Sequence, residues 1–127
     1  MKVVIITEDA PLPAGPYSQA IKANGFIFVS GQIPLHPLTG EMVEGSIEGQ
    51  TRQVLRNLEA ILVAGDSSLA KVVKISVFLK DINDFAAVNS VFQEFFKQEA
   101  PARETMEASN LPKGAKIEIS AIAIVDS

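Results

Sequence analysis

The apolar positions along this chain follow two periods. Lys2 to Thr7 is rich in Val and Ile and predicts a first strand. Pro11, Pro13, Gly15 and Pro16 then interrupt regular structure. Tyr17 to Ala23 and Gly25 to Ser30 read as a pair of strands. They reverse at Asn24-Gly25, a dipeptide favoured in tight hairpins. Alternation puts Phe26, Phe28 and Ser30 on one face and Ile27 and Val29 on the other. Gly31 to Gly45, with Pro34, Pro37 and Gly40, reads as a loop. The period then lengthens. Val54, Leu55, Leu58, Ile61 and Leu62 recur at helical spacing, with Arg52, Arg56 and Glu59 outside the stripe. Ser46 is a candidate N-cap and Gly65 a stop. Val72 to Leu79 returns to period two and predicts a buried strand with Val73, Ile75, Val77 and Leu79 on one face. A second helix carries Phe85, Val88, Phe92, Phe95 and Phe96. Asn83 or Asp84 is its candidate cap, and Pro101 lies beyond its end. Thr105 to Ser109 predicts a short strand, and Lys116 to Val125 a strongly apolar last one.

The order is therefore strands, helix, strand, helix, strands. Two helices on one face of one sheet make a two-layer α+β domain spanning residues 1–127. Two helices leave the second sheet face to be covered. Hydrophobic residues make up 47% of the chain, and mean hydropathy is +0.24. A domain of 127 residues has much surface for its volume, so this apolar content points to an oligomer. A neighbouring subunit is the natural cover for the open face.

Charge and residue inventory remove several function classes. Fifteen acidic residues against 11 basic ones give a net charge of −4. No basic run is present, and seven Phe and one Tyr are the only rings for stacking bases. Nucleic acid is disfavoured as the main ligand. The absence of cysteine removes disulfides and thiol nucleophiles. No apolar run is long enough to cross a bilayer, so no membrane association is expected. The apolar stretch Val3–Ile6 is too short for a signal-peptide core and runs into Glu8 and Asp9. The expected location is the cytoplasm, or a mitochondrion if a presequence has been removed.

The candidate chemistry rests on polar residues that interrupt apolar structure. Glu118 shares a strand face with Ser120, Ile122 and Ile124. A carboxylate there needs a partner or a task, the bland alternative being a surface glutamate. Arg103 follows Pro101 and Ala102 in a loop entering a strand. Its planar fork suits a carboxylate, and a salt bridge to Glu104 or Glu99 is the competing reading. Gly15-Pro16-Tyr17 and Ser30-Gly31-Gln32 flank the hairpin strands. Gly31 allows close backbone approach, and Tyr17 offers a ring with a hydroxyl tip; turn chemistry alone also explains both. Asn89 reads as a helix-surface residue. His36 is the single histidine and cannot by itself build a typical metal site or triad. No phosphate loop, dinucleotide motif or nucleophile elbow is present.

Five segments together carry a resemblance. They are GPYSQA at Gly15–Ala20, VSGQIP at Val29–Pro34, VFLKDINDFAAVN at Val77–Asn89, PAR at Pro101–Arg103 and LPKGAKIEI at Leu111–Ile119. In order and at compatible spacing, they resemble the reactive intermediate deaminase family (RidA, also called YjgF), over nearly the whole chain. The resemblance implies a chorismate-mutase-like fold: a mixed sheet with two helices on one face, assembled as a homotrimer with active sites between subunits. It implies hydrolysis of reactive 2-imino acids (2-iminobutanoate and 2-iminopropanoate) to 2-keto acids and ammonia, without metal or organic cofactor. By position, Arg103 matches the arginine that binds the substrate carboxylate. Glu118 matches the glutamate that positions the attacking water. Tyr17 and Asn89 match pocket residues, and Ser30 and Gly31 match the loop lining the pocket. Two other readings stay open: a non-catalytic binder of small carboxylates such as 2-keto acids, and a translation-inhibiting ribonuclease, against which the net charge argues.

One departure stands beside the key arginine. The family commonly places Ser and then a small residue after it, whereas this chain has Arg103-Glu104-Thr105-Met106. A Glu104 turned into the pocket would compete with an anionic substrate. Strand alternation turns it away.

Overall fold

The structure is a computed structural model and describes residues 1–125; Asp126 and Ser127, at the end of the expected domain, lie outside the described residues. Six strands and two helices alternate along the chain: β1 (Val3–Ile5), β2 (Ala20–Ala23), β3 (Phe26–Gln32), α1 (Ile47–Ala64), β4 (Val72–Leu79), α2 (Phe85–Phe95), β5 (Ala102–Glu107) and β6 (Ile117–Ile124). The sheet order is β1-β2-β3-β6-β4-β5. Every pair is antiparallel except β4 and β5, which run parallel. A parallel pair needs a long crossover, and α2 supplies it. The last strand in sequence, β6, thus lies inside the sheet between β3 and β4. This is the mixed α+β arrangement the element order predicted.

Local chemistry sets the element ends. Asn24 and Gly25 both take positive φ, 52° and 81°, as a two-residue hairpin turn requires. Ser46 caps α1, its Oγ accepting from the Gly49 amide at 3.1 Å. Gly65 closes the same helix, its amide donating to the carbonyls of Ile61 and Leu62. The caps expected for the second helix differ. Asp84 occupies the N-cap position without a side-chain hydrogen bond, while Asp81 Oδ1 accepts from Asn83 in the single turn before it.

Both helices pack on one sheet face. Leu55, Leu58, Ile61 and Leu62 of α1 and Val88 and Val91 of α2 are buried against Ile27, Ile75, Val77, Ile117 and Ile119. Arg52 and Glu94 join the two helices through a forked ion pair at 3.0 and 2.8 Å. The other face is open. Phe26, Phe28, Met106 and Ile124 are 40–47% exposed there, beside Glu118 and Ser120. No helix among the described residues is long and apolar enough to cross a membrane.

Four boundaries and one strand face depart from the sequence pattern. β3 runs on through Gly31 and Gln32, which the pattern placed in the loop that follows. β1 is three residues long, not the full Lys2–Thr7 run. Tyr17, Ser18 and Gln19 precede β2 rather than belonging to it, since the proline-rich segment continues through them. Val73 is exposed and off the core face. The β4–β6 register shifts between Val72 and Lys74, and this bulge turns Val73 outward. β5 begins at Ala102, so Arg103 lies inside a strand and not in the loop before it.

Candidate functional site

Arg103 is the second residue of β5 and projects to the helix face. Its guanidinium carbon lies 5.2 Å from the Phe85 ring centroid and 5.1 Å from that of Phe92. Both rings come from α2, so the guanidinium is held by cation–π contacts from the crossover helix. Among the described residues no carboxylate pairs with it. Burial in these apolar surroundings lowers its pKa. The cation borders a cavity of about 270 Å³ whose wall includes Ile75, Asn89, Gln93, Phe96 and Pro101. Asn89 Oδ1 is buried and has no hydrogen-bond partner. The cavity thus holds a cation without an anion.

Glu118 lies in β6, opposite Phe78 of β4, and projects to the open sheet face. It is half-buried, and desolvation raises its carboxyl pKa. Around it lie Tyr17, Ser30, Gly31, Ile33 and Pro112, enclosing about 360 Å³. The β3–β6 register shifts between Val29 and Gln32, which places Ser30 and Gly31 in a bulge against Glu118. Ser30 is fixed by its neighbours: its Oγ donates to the Ser18 carbonyl at 2.6 Å and its amide to the Gln19 carbonyl at 2.9 Å. Buried Gln19 in turn holds the proline segment carrying Tyr17. Its Nε2 donates to the Pro11 carbonyl at 2.9 Å, and its Oε1 accepts from the Thr7 amide at 2.7 Å. Tyr17 itself is exposed. On the far side, the Lys80 ammonium donates to the Ser109 carbonyl and Asn110 Oδ1, anchoring the loop that leads to Pro112.

The residues picked from the sequence therefore form two groups. Arg103 and Asn89 share the cavity on the helix face. Tyr17, Ser30, Gly31 and Glu118 share the cavity on the open face. Within one chain the two groups do not meet, because the sheet lies between them. Glu104 belongs to neither. Alternation along β5 turns it to the open face, where Ser76 Oγ donates to it at 2.9 Å and Lys74 Nζ lies 3.7 Å away. It does not pair with Arg103.

Sequence reasoning missed the two rings that hold Arg103, and also Gln93 and Pro112. A signal for most of these was present. Phe85, Asn89, Phe92 and Phe96 stand at i, i+4, i+7 and i+11, one face of a helix. The core stripe through Val88 and Val91 runs beside it. His36 is exposed, its Nδ1 accepting from the Leu38 amide at 3.3 Å.

The family model described as Endoribonuclease L-PSP matches residues 7–125. The chain belongs to the Endoribonuclease L-PSP family. Within this family it is 58% identical over 123 residues to a RutC family protein of Pyrococcus horikoshii, covering 97% of this chain and 98% of that protein. It is 40% identical over 125 residues to the 2-iminobutanoate/2-iminopropanoate deaminase of Dermatophagoides farinae, covering 98% of each. Among solved structures, E. coli TdcF with bound serine superposes with a TM-score of 0.91 at 40% identity, covering 98% of this chain and 99% of that one. The Endoribonuclease L-PSP family includes proteins named as reactive intermediate deaminases, in agreement with the resemblance drawn from the five segments.

Proposed function

We propose that this chain hydrolyses 2-imino acids to 2-keto acids and ammonia, at sites formed where two copies meet. The observation that carries the reading is Arg103: a guanidinium gripped by two rings, open to a small cavity and lacking an anion. A half-buried cation without a counter-charge is held ready for a ligand carboxylate, which its two parallel N–H groups match. A cavity of about 270 Å³ fits a small acid. The relative from Dermatophagoides named for this activity and the serine bound by TdcF, itself an α-substituted carboxylic acid, support the same ligand class.

The chemistry asks little of the protein. A protonated 2-imino acid carries an electrophilic carbon next to its carboxylate. Arg103 fixes the carboxylate and so the position of that carbon. Glu118 takes a proton from a water as the oxygen bonds to the carbon, and the C=N π pair moves to nitrogen. The same carboxyl returns the proton to nitrogen. The carbinolamine hydroxyl then gives its proton to the Glu118 carboxylate, the C–N bond breaks with its electron pair going to nitrogen, and the ketone and ammonia leave. Ammonia takes up that proton as ammonium, which restores the carboxylate. A carboxyl raised above its ordinary value by burial is a stronger base for the first step and is suited to the second.

Arg103 and Glu118 act on one substrate only if a second copy brings its open face against the Arg103 cavity of the first. The exposed apolar residues of the open face favour such packing, and a closed trimer is the ring that the family resemblance implies. A non-catalytic carboxylate binder would need Arg103 but not Glu118, so Glu118→Gln separates the two readings. The test generates 2-iminobutanoate in situ from threonine with a threonine dehydratase and follows its decay. The protein should accelerate decay, and Arg103→Ala should accelerate it far less. Equal rates for wild type and Arg103→Ala would defeat the proposal.

A further inference from the structure

We infer that Phe96 sets how long a carbon chain the Arg103 cavity accepts, and that a second cavity behind Phe96 is the space a longer 2-imino or 2-keto acid enters once this side chain is shortened. The inference rests on the reading that a ligand carboxylate seats on Arg103, and it concerns the far end of that ligand. The guanidinium lies against the rings of Phe85 and Phe92. The cavity it borders continues to Phe96, Ala100 and Pro101. Phe96 follows Phe92 by four residues, about 6 Å along a helix. The cation therefore sits beside the earlier turns of α2, and the apolar end of the cavity lies at the last turn. An acid held on Arg103 buries an aliphatic chain by running it along Ile75 and Phe92 towards Phe96.

Phe96 closes that end. It is partly buried against the core, and its ring leans on Phe92, with centroids 5.5 Å apart and planes at 41°. It stands just past the last residue of α2, at φ −118° and ψ 81°, so shortening it removes a ring without interrupting the helix. A second cavity, of about 240 Å³, is bordered by Leu69, Ala70 and Phe95 and by the turn from Lys97 to Glu99. Phe96 belongs to the walls of both cavities. A short chain fits wholly on the Arg103 side. A longer one meets Phe96 and must turn out into solvent. Each methylene that is buried raises affinity about fourfold, and each one left in water adds nothing.

Calorimetry with 2-ketobutyrate, 2-ketohexanoate and 2-ketooctanoate tests this without relying on catalysis. In wild type, affinity should rise from the butyrate to the hexanoate and rise no further to the octanoate. In Phe96→Ala the octanoate should bind about tenfold more tightly than the hexanoate, since two more methylenes are buried. Phe96→Leu keeps more of the core filled and should shift the ratio the same way by less. Ala70→Leu refills the second cavity. Alone it should leave the series unchanged, and in the Phe96→Ala background it should cancel the gain. Comparing two acids on one variant keeps the result independent of how much of that variant is folded. A tenfold octanoate gain already present in wild type would overturn the inference. So would a ratio that both Phe96 variants leave unchanged, or a gain that survives Ala70→Leu. Failure of every acid to bind would overturn it together with the carboxylate role of Arg103. The shifted ratio, in a protein that does not accelerate imine decay, would sustain this inference while removing the deaminase reading.

Discussion

Gly31 and Glu118 compete for one volume. A methyl group on residue 31 would overlap Glu118 Oε2 and lie 3.0 Å from Cδ and 3.2 Å from Cγ. The backbone at Gly31 does not take a positive φ, so alanine is not barred by conformation. The side chain that must move is the flexible end of a glutamate, not a core residue. Gly31→Ala should therefore fold normally and displace the Glu118 carboxylate. We expect kcat for imine hydrolysis to fall while the melting temperature stays near wild type. In a double-mutant cycle, Gly31→Ala should cost little further in a Glu118→Gln background, because the displaced group is already gone. Full additivity would show that Gly31 acts independently of Glu118.

The rings beside Arg103 make a second expectation. Arg103→Ala should reduce kcat/KM on the order of 10- to 100-fold, the range for removing a hydrogen-bonded charge from a ligand carboxylate. Arg103→Lys keeps the charge but loses the fork and the planar stack, so it should recover only part of that loss. Phe92→Leu keeps the core filled and removes one ring face. It should raise KM by several-fold and leave kcat nearly unchanged. Steady-state kinetics on all three variants decide the matter.

The sequence carried the sheet and its two helices because burial imposes periods of 2 and 3.6, and these survive in any half-buried element. It did not carry Val73, since a bulge changes the face of a residue without changing its composition. It placed Arg103 in a loop because Ala102 to Glu107 alternates polar and apolar only weakly at an edge strand, half of which faces solvent. Asn89 looked like a surface residue because a cavity wall and solvent select the same polar side chain. The separation of Arg103 and Glu118 onto opposite faces needed the strand register. Once both strands were placed, alternation alone decided it.

Burial of Glu118 should be visible in stability as well as in rate. Its carboxyl is raised above the ordinary value by desolvation, so the unfolded chain releases the proton at a lower pH than the folded one. Between those two pH values the folded state binds more protons, and stability falls as pH rises; above the folded value the loss is complete. Glu118→Gln removes the ionisation. At neutral pH it should melt higher than wild type by a few degrees, and the difference should shrink towards nothing in acid, below the unfolded pKa. The same variant should lose the acid limb of the pH–rate profile along with most activity. Thermal melts and kcat/KM across pH 4–8 check both sides.

Glu104 supplies a negative expectation. It lies on the face opposite Arg103, held by Ser76 and Lys74. Glu104→Gln removes a charge close to Arg103 in sequence but not in its cavity. KM for the anionic imine should stay within about twofold of wild type, the range of weak exposed ion pairs. A marked drop in KM would mean that Glu104 reaches the substrate.

The strongest expectation concerns ownership of the site. Arg103→Ala and Glu118→Gln each strip most of the activity from every site of a homo-oligomer when present alone. Co-expressed in equal amounts, the two variants assemble at random. In a ring where each site takes Arg103 from one copy and Glu118 from the next, one site in four then receives both intact side chains. The mixture should regain roughly a quarter of wild-type activity. A site contained within one chain would regain nothing, since no single chain in the mixture holds both residues. The opposite placement of Arg103 and Glu118 across the sheet leads to the first result, and the measured fraction also reports whether the copies exchange freely during assembly.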